Sequence, residues 1–374
     1  MTEIKSRGLY VHVPFCKRKC NYCDFCSSAA SHQTVEAYVD MLCCEIDSYA
    51  AADMPQHVDT VFFGGGTPSL LSASQMSQII AHIRSAFVIS PDAEITVEIN
   101  PGTVTQEKMQ AYFDLGINRI SIGLQSIHEN EMKILGRIHT YEDFLEAYSM
   151  LRHIGFSNIS VDIMYGIPCQ TMASLEQTLN AVIALQPEHI SAYGLIIEEG
   201  TPFFEMRSEL DLPSEDDEAD MYALITDVLA RSGFCHYEIS NYARPGFACR
   251  HNLKYWHDEE YFAVGLAAHS YVEGKRYAAT EKMDEYLDGY GTKYKRTISD
   301  SGLDAFEYAM LALRLAEGLD LEKYRNLFGV DLLRSRHIEI GEAERGGYLT
   351  VSNGRLALTE KGFYVSNYII SSLL

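Results

Sequence analysis

Short apolar segments alternate with amphipathic helical patterns through the first two-thirds of this chain of 374 residues. Six of the apolar segments are predicted as β-strands, at residues 9–13, 58–63, 95–99, 119–124, 159–164 and 189–195. Such alternation, with strands that are apolar along nearly their whole length, is typical of a parallel sheet buried on both faces. Because six strand–helix units are fewer than the eight that close a full barrel, the sequence predicts an α/β fold with a partial (β/α)6 TIM-like barrel.

Polar or small residues follow four of the predicted strands. Gly64, Glu98, Gln125 and Asp162 lie at or just after the carboxyl ends of successive segments. In barrel proteins this end of the strands carries the ligand-binding loops. A strand end favours such residues for structural reasons as well, but their recurrence on consecutive units indicates a binding site.

The periodicity changes after residue 282. The elements predicted there are helices at 304–315 and 321–327, strands at 348–351 and 355–358, and a helix at 360–373. Asn353-Gly354 stands between the two strands and is a strong hairpin signal. The sequence therefore predicts a barrel domain at 1–282 and a small α+β winged-helix-like domain at 283–374.

The chain has a formal net charge of −22, from 30 basic and 52 acidic residues. A nucleic-acid-binding surface neutralises phosphates with Lys and Arg, so nucleic acid is not expected as the main partner. The first residues do not form a signal sequence, and no apolar run approaches the roughly 20 residues that cross a bilayer. We therefore expect a cytoplasmic protein with at most peripheral membrane contact.

Four of the nine cysteines fall within residues 16–26. An odd number of cysteines without a signal sequence does not indicate a disulfide framework. Cys16, Cys20 and Cys23 place three thiolates on one loop, which suits three irons of a cubane cluster and leaves the fourth iron open. The basic residues 17–19 lie between them, where positive charge favours thiolates.

The alternatives for these cysteines are a zinc site and a dithiol redox pair. Structural zinc usually takes two separated ligand pairs, and no second CxxC follows in the sequence. A redox pair needs only two cysteines. Both observations favour the cluster.

The cysteine loop resembles the CxxxCxΦC signature of the radical SAM superfamily. In that superfamily the three cysteines hold a [4Fe–4S] cluster whose open iron chelates S-adenosylmethionine, so the resemblance implies both cofactors here. Residues 64–68, GGGTP, are similar to the superfamily's glycine motif. There the backbone approaches the methionine amino group closely, which requires that no Cβ intervenes.

Residues 10–16, YVHVPFC, resemble the segment shared by the oxygen-independent coproporphyrinogen III oxidase family and its heme chaperone (HemW) branch. The resemblance covers nearly the whole chain, including the C-terminal module. It implies that the positions that contact S-adenosylmethionine are Tyr10, Tyr22, Gly65, Gly66, Thr67, Glu98, Gln125, Arg137 and Asp162. Within that set, Arg137 suits the methionine carboxylate, and the carboxylates suit ribose hydroxyls or an ammonium.

The oxidases of this family have a further cysteine two positions after the third. Phe25 occupies that position here, and the next cysteine, Cys26, is displaced by one. Phenylalanine at this position resembles the chaperone branch. We therefore expect that Cys26 is not a cluster ligand.

Residues 251–256, HNLKYW, are similar to the heme-binding motif of the chaperone branch. The similarity implies that the chain binds heme, with His251 offering an axial nitrogen to the iron and Tyr255 and Trp256 offering aromatic surface to the macrocycle. The residues alone leave another interpretation open. In it, the aromatic segment packs against the barrel and His251 is only hydrogen-bonded.

The resemblance as a whole implies a heme chaperone that passes heme to apoproteins such as respiratory cytochromes. Self-association into a homodimer is a further expectation. The alternative function is that of an oxygen-independent coproporphyrinogen III oxidase, which decarboxylates porphyrinogen propionates by radical chemistry. A radical enzyme that modifies RNA is disfavoured by the acidic charge.

Overall fold

The computed structural model describes residues 6–51, 55–290, 297–300 and 304–374. In these parts of the chain, most strands form one large sheet. In chain order they are β1 (Arg7–Val13), β2 (Gln56–Gly65), β3 (Phe87–Ile99), β4 (Arg119–Gln125), β5 (Ile159–Tyr165), β6 (His189–Gly194), β7 (Cys235–Glu238), β8 (Asn241–Ala243), β9 (Tyr261–Val264), β10 (His269–Val272), β11 (Lys275–Ala278) and β12 (Thr297–Asp300).

Strands β1 to β6 lie side by side in chain order and run parallel, and β9 pairs in parallel with the other edge of β1. The predicted parallel sheet is therefore confirmed. At the β9 end the sheet continues with antiparallel β10, β11 and β12, and at the β6 end with antiparallel β8 and β7. Strands β9 to β11 have four residues each, which is too short for a clear periodic pattern in the sequence.

The helices of the barrel region connect these strands. They are α1 (His32–Asp47), α2 (Ala73–Ala86), α3 (Gln106–Asp114), α4 (Glu129–Leu135), α5 (Tyr141–Ile154), α6 (Met172–Ala184), α7 (Pro202–Glu205), α8 (Glu215–Arg231), α9 (Arg250–Trp256) and α10 (Met283–Glu285). Side chains begin several of them. Ser72 starts α2 with a reciprocal capping box to Gln75, and Thr140 starts α5 in the same way.

Burial on both faces of the central strands stabilises the barrel. All seven residues of β4 are buried, and the apolar stripe of α2, which includes Met76 and Ile83, packs into the same core. Each fully buried side chain of this size contributes roughly 1.5–3 kcal/mol. The polar residues of the strands therefore lie either inside the barrel or at its ends.

The C-terminal elements form a module with its own core and a three-stranded sheet. They are α11 (Ala305–Ala312), β13 (Leu319–Asp320), α12 (Leu321–Phe328), α13 (Leu332–Ser335), α14 (His337–Arg345), β14 (Leu349–Ser352), β15 (Arg355–Leu358), α15 (Glu360–Tyr364) and α16 (Ser366–Leu373). The predicted small α+β unit of helices and a hairpin is thus confirmed.

Two local features of this module bear on the sequence predictions. The Asn353-Gly354 turn joins β14 to β15 with φ of 50° and 75°, and these left-handed values confirm the predicted hairpin. The single helix predicted at 360–373 is wrong in one respect. The backbone of Val365 leaves the helical region, with φ −103° and ψ 24°, and divides the segment into α15 and α16.

The domain boundary at residue 282 stays a prediction. Beyond it, Tyr286 is buried in the barrel core, and its hydroxyl donates to Glu45 Oε2 at 2.5 Å. Strand β12 also pairs with β11 in the large sheet. Within the described residues, we find no helix with the length and apolarity needed to cross a membrane.

Gly362 of α15 provides a test of the C-terminal module. A Cβ at this position would overlap the backbone carbonyl oxygen of Tyr348, which cannot rotate away as a side chain can. Gly362→Ala should therefore destabilise the protein by roughly 1–3 kcal/mol, measured by urea unfolding followed by circular dichroism. Gly341→Ala is the control, because its Cβ enters open space in α14, and it should stabilise by roughly 0.5–1 kcal/mol. Equal stability of the Gly362→Ala and wild-type proteins would contradict the close contact.

Candidate functional site

A cavity of about 410 Å³ opens at the carboxyl ends of the parallel strands, next to the loop that follows β1. Most of the residues predicted for the site line it, although they come from six strands or loops that are separated in sequence. They are Cys16, Cys20, Tyr22, Cys23, Gly65, Gly66, Thr67, Glu98, Gln125, Arg137 and Asp162. The structure therefore brings the predicted cluster and S-adenosylmethionine positions together at the expected end of the barrel.

Tyr10 is the predicted S-adenosylmethionine position that does not line the cavity. Its hydroxyl hydrogen-bonds to Nδ1 of His12 at 3.0 Å. Its ring lies against Phe62 and His251 inside the barrel, with ring centroids 6.3 and 6.5 Å away. A contact between Tyr10 and S-adenosylmethionine stays a prediction.

Hydrogen bonds hold the cysteine loop at its base and near its middle. The N–H of Cys16 donates to the carbonyl of Ser28 at 3.0 Å, and the N–H of Ser28 donates to the carbonyl of Pro14 at 2.9 Å. Farther along, the side-chain amide of Asn21 donates to the carbonyl of Ile134 at 2.8 Å. The loop is thereby attached both to β1 and to the end of α4.

The glycine turn after β2 packs directly against this loop. The N–H of Gly66 donates to the carbonyl of Val13 at 2.9 Å, and the N–H of Thr67 donates to the carbonyl of Phe15 at 2.7 Å. A Cβ on Gly66 would lie 2.7 Å from the Phe15 carbonyl oxygen. The hydroxyl of Thr67 also reaches Sγ of Cys16 at 3.6 Å. Glycine is therefore required for the turn to approach the first cysteine.

The three predicted ligand cysteines are free thiols that line one cavity. Burial raises the pKa of the Cys23 thiol, and negative charge on Cys20 and Cys16 raises it further. Within the described ranges, no three His, Cys, Asp or Glu side chains are grouped as ligands of a single metal ion. A cubane cluster needs a wider spacing, since each thiolate binds a different iron, and the donor set fits such a cluster.

Cys26 lies outside the cavity lining. Its Sγ faces the carbonyl oxygen of Glu281 at 3.9 Å, and its own carbonyl accepts a hydrogen bond from Nε2 of His12 at 3.0 Å. Phe25, which precedes it, is 62% exposed at the cavity mouth. The expectation that Cys26 is not a ligand stays a prediction.

Four carboxylates line the cavity, and Glu98 and Asp162 are the two that are not exposed. Oε2 of Glu98 accepts the N–H of Gly65 at 3.2 Å, and Asp162 accepts the hydroxyls of Ser121 at 3.0 Å and Ser160 at 3.3 Å. Burial raises the pKa of Glu98 to about 8, and the negative charge of Asp162 contributes to the rise. Burial also raises the pKa of Asp162, an effect that the nearby serine hydroxyls oppose. A ligand with hydroxyl or cationic groups would stabilise both carboxylates.

Arg137 is the buried cation of the cavity. One Nη donates to the carbonyl of Gly123 at 2.8 Å and to Asn100, and the other lies 3.7 Å from Sγ of Cys20. Its Nε is buried and has no hydrogen-bond partner. A buried N–H without an acceptor is costly, so this donor suits an anionic ligand group. Gln125 lies nearby with a left-handed φ of 74°, which turns the chain at the end of β4.

The predicted heme residues lie elsewhere, on α9. The N–H of His251 donates to Oε1 of Glu94 at 3.1 Å. Its Nδ1 bonds to the hydroxyl of Thr60 at 2.8 Å, and its Nε2 bonds to the hydroxyl of Tyr255 at 2.8 Å. Thr60 pairs with Gly8 near the start of β1. Helix α9 therefore contacts the barrel at the end opposite the cysteine loop.

The environment of His251 is enclosed. The residue is 1% exposed, and burial, with the positive charge of Lys254 as a smaller cause, lowers its pKa to about 3. The imidazole is therefore neutral, and both ring nitrogens are engaged. This arrangement matches the interpretation in which the aromatic segment packs against the barrel, whereas the role of His251 in heme binding stays a prediction.

Trp256 ends α9 and faces the C-terminal module. The guanidinium of Arg314 lies 5.8 Å from the centroid of its ring. Together with Tyr308 and Glu317, among others, Trp256 lines a cavity of about 80 Å³. Trp256, Tyr255 and His251 are all absent from the lining of the cysteine cavity.

Comparison with known proteins establishes the family. The Radical SAM superfamily model matches residues 10–182, and the HemN C-terminal domain model matches residues 304–365. Heme chaperone HemW of Lactococcus lactis is 34% identical over 374 residues, which cover 99% of this chain and 98% of that protein. Heme chaperone HemW of Escherichia coli is 34% identical over 382 residues, which cover 100% of each.

The chain belongs to the heme chaperone HemW family. Among solved structures, coproporphyrinogen III oxidase (HemN) from Escherichia coli matches with a TM-score of 0.84 and 22% identity, over 99% of this chain and 91% of that one. At this identity the match shows the fold alone. It confirms the expected radical SAM type of barrel with the added C-terminal module.

Several residues that line the cavity of this HemW-family chain were not predicted from the sequence. Ser121 could have been predicted. It lies two residues from both Arg119 and Gly123 on β4, and residues two apart on a strand share one face of the sheet. Tyr193 and Ile196 are 41% and 68% exposed at the mouth. They belong to no recognisable motif, so only the structure identifies them.

The raised pKa of Glu98 should make the stability of the ligand-free protein depend on pH. The folded state keeps a proton that the unfolded chain loses above its ordinary pKa of 4.5, up to the folded value of about 8. The free energy of unfolding should therefore fall as pH rises through this window, by at most ~1.4 kcal/mol per pH unit. Urea unfolding of Glu98→Gln between pH 5 and 8 should show a smaller decline.

Glu107→Gln, in the exposed first turn of α3, is the control for this experiment. It should retain the wild-type decline, because its side chain is exposed and does not line the cavity. If Glu98→Gln and the wild-type protein lose stability equally over this range, Glu98 does not carry the proton.

Proposed function

We propose that this protein is a heme chaperone that binds a [4Fe–4S] cluster, S-adenosylmethionine and heme, and that it delivers heme in the cytoplasm to apoproteins such as respiratory cytochromes. One observation carries the proposal. A chain related to HemW proteins over its full length also places three free thiols on one cavity at the strand ends. The homodimer stays a further prediction.

The cluster would be held by Cys16, Cys20 and Cys23. The hydroxyl of Thr67 and the guanidinium of Arg137 each donate to one of these sulfurs. Hydrogen bonds and a nearby positive charge both stabilise the thiolate form that binds iron. When bound, the cluster would supply an electron and an open iron coordination site for S-adenosylmethionine.

The cavity residues fit the remaining groups of S-adenosylmethionine. The unpartnered Nε of Arg137 suits its carboxylate, and Glu98 and Asp162 suit its ribose hydroxyls or its ammonium. Gly65 lines the cavity, and a Cβ there would lie 2.5 Å from the ring of His12, so no side chain covers the backbone at this position. The chain therefore offers acceptors, a cation and open backbone to a zwitterionic nucleoside.

Heme would bind at the α9 motif, with His251 as the iron ligand. A neutral imidazole is the form that binds a metal, and burial keeps His251 neutral. One of its two hydrogen bonds, to Tyr255 or to Thr60, must break before the nitrogen can reach iron. The proposal therefore includes a local rearrangement of α9.

A second surface is the alternative binding site for heme. Phe25, Tyr193 and Ile196 form an exposed apolar rim around the cavity mouth. Arg18 and Lys19 line the same mouth and suit propionate groups. Heme on this rim would lie beside the cluster rather than at α9.

The cluster assignment is tested by reconstitution without oxygen. Cys20→Ser should abolish the broad visible absorption of an iron–sulfur cluster, because two thiolates cannot hold three irons. Cys26→Ser is the matched control and should retain the absorption, since its thiol lies outside the cavity. Zinc in place of iron, or a loss of absorption in Cys26→Ser alone, contradicts the assignment.

The heme assignment is tested by titration followed at the Soret band. His251→Ala should weaken heme binding at least about tenfold, equivalent to ~1.4 kcal/mol. Tyr255→Phe, which frees Nε2 and keeps the ring, should bind heme at least as tightly as the wild-type protein. Thermal melting shows whether each variant is folded.

Ile196→Ser at the apolar rim is the control for this titration and should leave heme affinity unchanged. The opposite pattern, with loss only in Ile196→Ser, would place heme at the cavity mouth. The same protein, given S-adenosylmethionine, reductant and coproporphyrinogen III, should form no protoporphyrinogen. Turnover of the porphyrinogen would favour the oxidase function instead.

A further inference from the structure

A chain of hydrogen bonds runs through the barrel from the cavity to the start of α9. Oδ1 of Asp162 lies 3.3 Å from Oγ of Ser160, which lies 2.8 Å from Nδ1 of His189. Nε2 of His189 lies 2.8 Å from the hydroxyl of Tyr237, and this hydroxyl accepts the N–H of Cys249 at 3.2 Å. These contacts connect β5, β6 and β7 with the residue that precedes α9.

The donor-to-acceptor direction of this hydrogen-bonded chain follows from the groups at its two ends. The N–H of Cys249 can only donate, so the proton of the Tyr237 hydroxyl is available to Nε2 of His189. Burial lowers the pKa of His189 well below its ordinary value, so the ring is neutral and carries its proton on Nδ1. That proton goes to Ser160, whose own proton reaches Asp162. Every donor points toward the carboxylate, and aligned hydrogen bonds strengthen one another.

The end of the hydrogen-bonded chain that is farthest from the cavity contacts the first turn of α9. Cys249 is the residue at the N-cap position of this helix and is fully buried. The next two backbone N–H groups, of Arg250 and His251, both donate to Glu94 at 3.1 Å. The Tyr237 hydroxyl and the Glu94 carboxylate therefore hold the start of the helix that carries the HNLKYW motif.

We propose that His189 and Tyr237 are positioning residues that couple ligand occupancy of Asp162 in the cavity to the first turn of α9. This inference rests on the proposed function, because it takes S-adenosylmethionine as the cavity ligand. A ribose hydroxyl that donates to Asp162 competes with the Ser160 hydroxyl for this acceptor. The hydrogen bonds from Ser160 to Tyr237 are then weaker. The Tyr237 hydroxyl then holds Cys249 less firmly, and α9 loosens.

The coupling is reciprocal. If S-adenosylmethionine loosens α9, a ligand that binds the loosened helix must raise the affinity for S-adenosylmethionine by the same factor. This linkage explains how His251, whose ring nitrogens are both engaged in the described state, becomes available. The cavity at one end of the barrel and the motif at the other share one equilibrium.

The test uses cluster-loaded full-length protein and hydrogen–deuterium exchange of residues 249–256, with and without S-adenosylmethionine. Binding itself is measured separately by calorimetry. In the wild-type protein S-adenosylmethionine should speed exchange in this segment at least about fivefold. Tyr237→Phe removes only the linking hydroxyl, and this dependence on S-adenosylmethionine should disappear. Ser160→Ala removes the hydroxyl that links Asp162 to His189, near the cavity end of the hydrogen-bonded chain, and should have the same effect.

Tyr242→Phe is the matched control. Its hydroxyl bonds to Thr226, outside the chain, so the response to S-adenosylmethionine should persist. If calorimetry shows binding but wild-type exchange at α9 is unchanged or slower, the coupling is refuted and the proposed function stands. A response that persists in folded Tyr237→Phe and Ser160→Ala also refutes it. Absence of binding to the wild-type protein refutes both proposals.

Discussion

The proposed cofactor site depends on a contact between two stretches of backbone. The glycine turn after β2 donates hydrogen bonds to the loop after β1, from Gly66 to Val13 and from Thr67 to Phe15. A Cβ on Gly66 would collide with the Phe15 carbonyl, so a side chain there would force the two loops apart. Cys16 follows Phe15 directly. The contact therefore fixes the position of the first thiol relative to the strand ends. The hydrogen bond from Asn21 to α4 fixes the position of the middle of the loop.

Burial then determines which ligand this framework can accept. Glu98 and Asp162 are held mainly by neutral donors, a backbone N–H and serine hydroxyls, and their pKa values are raised. Arg137 is likewise held by neutral acceptors and a thiol, and its Nε is unpartnered. Buried charges without full compensation are costly. A ligand that brings a carboxylate, a cation and hydroxyl groups supplies the missing partners, which is the chemistry of S-adenosylmethionine.

Much of this arrangement could be predicted from local sequence. Apolar runs and strand ends predicted the parallel sheet and the rim that carries Glu98 and Asp162, because both follow from regular strand geometry. Asn353-Gly354 predicted its hairpin for the same local reason. The hydrogen-bonded chain through Ser160, His189 and Tyr237 could not be predicted. Its members are separated by tens of residues and meet only because β5, β6, β8 and β7 lie in that order in the sheet.

The position of α9 was the most consequential feature hidden from the sequence. The motif left two interpretations open, a heme ligand or an aromatic segment that packs against the barrel. In the structure His251 contacts Thr60 and Glu94, at the end of the barrel opposite the cysteine loop, and its role in heme binding stays a prediction. The proposed coupling between the two ends passes through the barrel interior, where a buried polar group left without a partner costs roughly 1–3 kcal/mol. Because of this cost, the hydrogen-bonded chain is favoured either when it is fully formed or when each of its polar groups has found another partner. The polar interior of this barrel therefore favours two discrete states over gradual deformation, and a ligand at Asp162 would bias the choice between them.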